Sequence, residues 1–382
     1  MKKREILAAL LVSLLILLLF WSFSLVKNPQ KPDFFVGVDA VYDDVEAIKR
    51  LVDEVRSYTN LFVVGCTGIT LNVTKLDDVC QYIYESGLYL IVFKYPHVTE
   101  FNQSQWLRDA RKRWGDRFLG LYVYDEAGGH QIDCTEYMLV KEADNYTDAA
   151  NKFVGGLNEH LKQIRDYPIY AGEFPLFTSD YGLYWFDYEA GYDVVLCEFG
   201  WNHSRLLNVA LNRGAAKMQN KDWGVIITWT YWHPPYLESG DELYYDMVFA
   251  YLNGAKYLVI FNGPLNPEEG TSEYGILTEK HLDAIRKFWS YIHTNPERLG
   301  VYCSDCTQTA YVLPKDYGWG FRGGRDKVWG LWVDELSINI GTTLDFLLHT
   351  HHLSLDIIYD DPKYYSEIGC YSKLVFWNGT VK

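Results

Sequence analysis

Carboxylates recur at one kind of place in this chain, at or just past the end of a short apolar run rich in β-formers. Asp39 stands at the end of Phe34 to Ala40, the pair Asp125-Glu126 follows Phe118 to Tyr124, Glu173 follows Pro168 to Gly172, and Glu198 follows Asp193 to Cys197. Carboxyls that meet in space can divide a reaction between them. One is held protonated near neutral pH to feed a leaving oxygen, and another stays ionised to attack or to activate water. Glu126 and Glu198 are the pair expected to do this, with Asp125 beside Glu126. Asp39 and Glu173 are expected at the same rim, together with Trp201, Trp229, Tyr231, Trp232, His233 and Asn262, which follow the ends of later runs. Aromatic faces interleaved with amide and imidazole groups suit a small polar ligand. Each residue also has a plainer reading, in which strand-end acids cap helices or tie down loops and the aromatics fill core. His97, His130, His203 and His233 show no close ligand spacing, so neither a metal site nor a cofactor is expected.

For these side chains to meet, the runs must be neighbouring strands, and the spacing supplies them. Strands are expected at Phe34–Ala40, Leu61–Cys66, Leu88–Phe93, Phe118–Tyr124, Pro168–Gly172, Asp193–Cys197, Gly224–Thr230 and Tyr257–Phe261. Amphipathic helices are expected between them at Val45–Tyr58, Lys75–Ser86, Gln105–Trp114, Ala149–Arg165, Ser204–Asn220 and Glu242–Asn253, with Glu279–Thr294 closing the set. Eight alternating units predict an α/β fold of the (β/α)8 type, whose active site lies at the C-terminal ends of the strands. The fifth unit is the least regular. Phe174 to Tyr192 has no helical period and reads as an active-site loop. No G-x-G-x-x-G follows the first strand, so dinucleotide binding has no support.

The ends add two further parts. An uncharged apolar run from Ile6 to Val26 follows Lys2, Lys3 and Arg4, long enough for a membrane-spanning helix and oriented with the N-terminus inside. Residues 1–32 are therefore expected to form a signal-anchor and linker, residues 33–296 the barrel, and residues 297–382 a small α/β unit packed on it. The bulk of the chain is then extracellular, a setting that suits the sequons at Asn72, Asn102, Asn145, Asn202 and Asn378 and a small disulfide loop at Cys303 and Cys306. A net charge of −15 with no clustered basic stripe excludes nucleic acid as a partner. The 13 Trp and 31 Tyr leave a glycan as the expected one, besides the membrane.

Placed after strand four, Asp125-Glu126 resembles the acid of the barrel glycoside hydrolases, many of which carry a general-acid Glu there behind a polar partner. The resemblance implies two-carboxylate cleavage of a glycan with Glu126 as the acid. It departs after strand seven, where the largest clan places its nucleophile Glu and this chain has Thr228-Trp229-Thr230-Tyr231-Trp232. The adjacent Asp-Glu also resembles the substrate-assisted hexosaminidases, in which the Asp orients an acetamido group. The C-terminal unit is similar to the amidotransferase-like domains that follow some β-galactosidase barrels, through Asp356-Ile357-Ile358-Tyr359-Asp360-Asp361-Pro362. Two other readings compete: a catalytically inactive barrel that binds surface carbohydrate, and a structural component of the cell envelope. The geometry of the rim separates them.

Overall fold

The first strand, β1 (Phe35–Ala40), shows why the sheet closes, because its side chains alternate between two apolar surroundings. Phe35 joins an interior cluster with Leu61, Val63, Ile91, Phe177, Leu196, Ile226 and Val259. Val36, Val38 and Ala40 face the outer layer of helices. A strand buried on both faces in this way fits a parallel sheet covered by helices. The computed structural model describes residues 31–94, 103–165, 174–269, 273–296 and 308–382.

The remaining strands are β2 (Leu61–Val64), β3 (Tyr89–Lys94), β4 (Phe118–Val123), β5 (Leu176–Asp180), β6 (Val194–Phe199), β7 (Asp222–Ile227) and β8 (Tyr257–Asn262). All neighbours are parallel, and β8 pairs with β1 through Phe35↔Tyr257 to Ala40↔Asn262, closing the barrel. The helices are α1 (Val45–Val55), α2 (Thr67–Thr70), α3 (Val73–Glu85), α4 (Gln103–Trp114), α5 (Ala127–Ile132), α6 (Tyr146–Arg165), α7 (Tyr184–Ala190), α8 (Arg205–Met218), α9 (Gly240–Leu252) and α10 (Glu279–Thr294). Their starts follow local chemistry. Asp44 and Asn72 cap α1 and α3, and Ser239 with Glu242 forms a capping box on α9.

The expected barrel is present, with one correction. Its fifth strand is Leu176–Asp180, so Phe174 to Tyr192 is not a loop but carries β5 and α7. The expected strand at Pro168–Gly172 lies outside the described residues, as do the apolar run from Ile6 to Val26, His97, Asn102, Cys303 and Cys306. Among the described residues no helix is long and apolar enough to cross a membrane. The described cysteines, including Cys197 inside β6, are free thiols.

After α10 the chain builds a three-stranded parallel sheet, ordered β10-β9-β11, from β9 (Thr309–Leu313), β10 (Leu355–Tyr359) and β11 (Lys373–Phe376), with α11 (Leu336–His351) between the first two. Phe34–Lys382 is a single unit. The sheet docks on α8, where the buried Arg213 pairs with Asp356 at 2.5 Å and reaches Asn253 and the Leu355 carbonyl. From β9 a Gly- and Trp-rich segment reaches back to the loop after β4. There Gln131 Nε2 donates to the carbonyls of Trp329 and Val140 at 2.9 and 2.8 Å.

Candidate active site

Alternation along the strands decides which residues look into the barrel mouth. On β1 the inward positions are Phe35, Gly37 and Asp39; on β6 they are Val194, Leu196 and Glu198. Asp39 and Glu198 thus form part of the last inward layer, at the C-terminal ends of their strands. Both are buried. Gly65, which follows β2, leaves room for the first of them, since a Cβ there would lie 2.2 Å from Asp39 Oδ1.

The turn after β4 brings in the adjacent acids. Tyr124 and Glu126 both adopt left-handed backbone, at φ 51° and 55°, a conformation costly for residues other than glycine. The chain secures it from several sides. Glu126 N donates to the Ser179 carbonyl at 2.9 Å, and Thr178 Oγ1 donates to the Tyr124 carbonyl at 2.6 Å. Asp180, at the end of β5, accepts from the amides of Gly128, Gly129, Tyr181 and Gly182 at 2.6, 2.8, 2.7 and 3.0 Å. Two of these amides belong to the first turn of α5, the short helix that Glu126 begins. Further left-handed residues, Leu183, Trp201 and Asn202, follow β5 and β6, so the strain gathers on one rim.

Glu126 and Glu198 meet. Their carboxyls are near enough to shift one another's pKa, as like charges do when only one can ionise readily. Ser179 Oγ donates to Glu198 Oε1 at 2.8 Å, while Tyr122 Oη lies 2.8 Å from Ser179 Oγ and 3.3 Å from Asp125 Oδ1. A polar chain therefore runs from Asp125 to Glu198. Burial pushes the Glu126 pKa up to about 8, reinforced by Asp125 and Asp180. Burial also raises Glu198 well above the usual range, with Glu126 and Asp125 adding to it and Ser179 opposing. Each carboxyl bears on the other, the charge of Glu126 raising Glu198 and Glu198 in turn lowering Glu126, so the two titrate together and the pair holds a proton between them. The surrounding loops push Asp125 up to about 6, with Tyr122 opposing, although its atoms are open to water at the mouth and that access works against the burial contribution. Burial and then Asp125 raise Asp39. His130 Nε2 lies 3.6 Å from Glu126 Oε2, and burial lowers its pKa.

Behind this cluster lies an acid pair that the sequence reading missed. Asp187, buried in α7, lies near Asp180, and burial and then the charge of Asp180 raise its pKa. Burial raises both, but four amides hold the charge of Asp180, so the proton rests on Asp187. The signal lay in Thr178-Ser179-Asp180-Tyr181-Gly182, a polar run closing a strand that the sequence reading had placed earlier.

The other expected residues separate into groups. Trp201 and Trp232 face each other with ring centroids 4.4 Å apart, and Trp229 meets Trp201 edge-on at 6.3 Å. Tyr231 and Trp232 are exposed. His233 stands apart at the surface, with its Nδ1 3.2 Å from Glu269. Asn262 is corrected: it is fully buried on the outward side of β8 and its Oδ1 accepts from Ile276 N and Leu277 N, so it anchors a loop instead of lining the mouth. Glu173 lies outside the described residues. No group of acids, His and Cys among the described residues is arranged to hold a metal ion.

No family model matches the sequence, and no curated protein matches it. Solved structures do. The GH5_18 protein from Streptomyces cattleya, in a variant complexed with Manβ1-4GlcNAc, superposes with a TM-score of 0.56 at 12% identity, covering 91% of this chain and 99% of that one. The same protein with GlcNAc gives 0.53 at 14% identity, again covering 91% and 99%. These likenesses establish the fold, a (β/α)8 barrel.

Proposed function

We propose that this barrel cleaves a glycosidic bond, with Glu126 as the general acid and Glu198 as the base or nucleophile. The observation that carries the reading is the meeting of Glu126 with the buried Glu198 at the C-terminal rim of a closed barrel, where burial and neighbouring acids raise both. Glu126, with a pKa of about 8, is protonated at neutral pH and can supply the leaving oxygen. Glu198, held by Ser179, acts as the ionised partner that attacks or activates water as Glu126 gives up its proton. The step needs the substrate to part the two carboxyls, which then stand on either side of the bond that breaks. Asp125 is placed to hold a substituent beside that bond, and Trp201, Trp229 and Trp232 offer apolar faces to sugar rings. The ligands named for the structural neighbours make β-linked mannose and N-acetylglucosamine the first sugars to try. An acetamido group would suit Asp125 in a substrate-assisted variant.

A second reading, a barrel that binds glycan without cleaving it, is favoured by one specific observation. Past the end of β7 the chain continues Thr228-Trp229-Thr230, with no carboxylate.

A hydrolysis screen of the full-length protein against a glycan library decides between the readings. Turnover by the wild type, lost in both E126Q and E198Q, supports the enzyme. Binding without turnover supports the lectin-like alternative. We further propose that the run from Ile6 to Val26 anchors the chain with its barrel outside the cell, as the flanking charges imply. Protease added to intact cells should then digest the barrel, and full protection until lysis would contradict this placement.

A further inference from the structure

Beside the acid cluster, a cavity of about 260 Å³ opens between the loops after β5 and β6 and the segment that returns from the C-terminal sheet. Its floor is apolar, formed by Leu207 and Leu211 of α8. Two aromatic walls stand over that floor, Tyr181 on the barrel side and Phe321 on the C-terminal side. Both are held in place. Tyr181 Oη donates to Asp133 Oδ2 at 2.8 Å, and its ring covers Gly129, where a Cβ would lie 2.1 Å from it. Phe321 adopts left-handed backbone at φ 62° and packs on Trp319 with centroids 4.7 Å apart.

The polar groups of the cavity identify what would fill it. The Arg322 guanidinium is neutralised by Asp133 and Asp326, so it offers no unpaired positive charge to an anion. Burial and then Arg205 lower the pKa of His203, which is neutral at physiological pH, and its buried Nδ1 has no hydrogen-bond partner among the described residues. Flat apolar walls, the uncharged His203 ring and the exposed Asn202 match an uncharged, hydroxyl-bearing ring. The cavity is also electrostatically within reach of the acids, since burial and then Glu126, Asp180 and Glu198 raise the Tyr181 hydroxyl.

We propose that this cavity is a second sugar site, completed by the C-terminal unit through Phe321, and that it holds a neutral pyranose linked to the one at Glu126 and Glu198. Tyr181 separates the two positions, so a glycan crossing it contacts both. This inference rests on the glycan reading of the acid cluster and deepens it: the C-terminal unit sets the length of glycan the protein prefers.

The test compares direct binding of cellobiose, mannobiose and chitobiose with that of their monosaccharides, by calorimetry on the full-length wild type, F321A and H203F. The second variant keeps a ring against Tyr181 while removing the nitrogen, so the test survives if F321A fails to fold. The wild type should prefer at least one disaccharide over its monosaccharide by about tenfold, the scale of one aromatic contact, and either variant should erase that preference. A wild type without disaccharide preference, or variants that retain it, would overturn the second site. Hydrolysis scored in the same samples keeps the two failures apart: preference without turnover removes the reaction but keeps the site, and turnover without preference does the reverse.

Discussion

Buried acids occur in two regions of this molecule and are treated in opposite ways. At the docking of the C-terminal sheet, Asp356 is fully buried and accepts from Arg213 and from Tyr371 Oη at 2.9 Å, with Lys217 at 3.9 Å. At the barrel mouth, Asp39, Glu198, Asp180 and Asp187 are just as deep, with Asp125 and Glu126 beside them, yet among the described residues none is paired with Lys or Arg. The first arrangement neutralises a charge and holds two parts together. The second keeps carboxyls among their own kind, where at least one must remain protonated, an arrangement that costs stability and is characteristic of functional sites. The contrast marks the mouth acids as the candidates for chemistry without reference to any relative.

The largest effect should appear at the mouth. E126Q is nearly isosteric and should lower kcat on a natural glycan by about two to four orders of magnitude, while aryl glycosides with good leaving groups are spared in the step that expels them. Steady-state kinetics on both substrate kinds check this, and full activity of E126Q on a natural glycan would move the acid elsewhere. At the junction, R213M should cost about 3–5 kcal/mol in chemical denaturation because it strands Asp356. D187N should change stability by no more than about 1 kcal/mol, since an amide can donate to Asp180 in place of the proton. Equal losses in the two variants would erase the distinction between the regions.

The mouth acids also set a pH dependence. Their pKa values are raised on folding, so the native state holds more protons than the unfolded chain between the ordinary carboxylate range and about 8 for Glu126. Stability contributed by these groups is therefore lost as pH rises through that window. Thermal melts should show a higher Tm at the acidic end of the window than at its alkaline end, and E126Q should flatten the slope. A Tm that rises steadily across the window would contradict this.

The barrel was legible because seven of its strands are apolar on both faces and stand out against amphipathic helices. The fifth unit was not. In Leu176–Asp180 only Leu176 and Phe177 are apolar, and the strand closes on Thr178, Ser179 and Asp180, so an apolar stretch upstream was the more strand-like signal. Its helix, Tyr184–Ala190, is buried on nearly every face because Trp185 and Phe186 also pack against Tyr359 of the C-terminal sheet, and burial all round removes the helical period. That misplacement hid Asp180 and Asp187. Asp125, Glu126 and Glu198 were legible as rim carboxylates because they stand at or just past the ends of regular strands. Asn262 was misjudged because being one residue further along β8 turns a side chain from the inner face to the outer one.

Whether Glu126 keeps its proton is open to direct observation. Carboxyl ¹³C shifts of glutamate-labelled full-length protein, followed across pH in the wild type and E126Q, should reveal a glutamate titrating near about 8 that disappears in the variant. If every glutamate carboxyl of the wild type titrates within the ordinary range, the shared proton does not exist and the acid assignment falls with it.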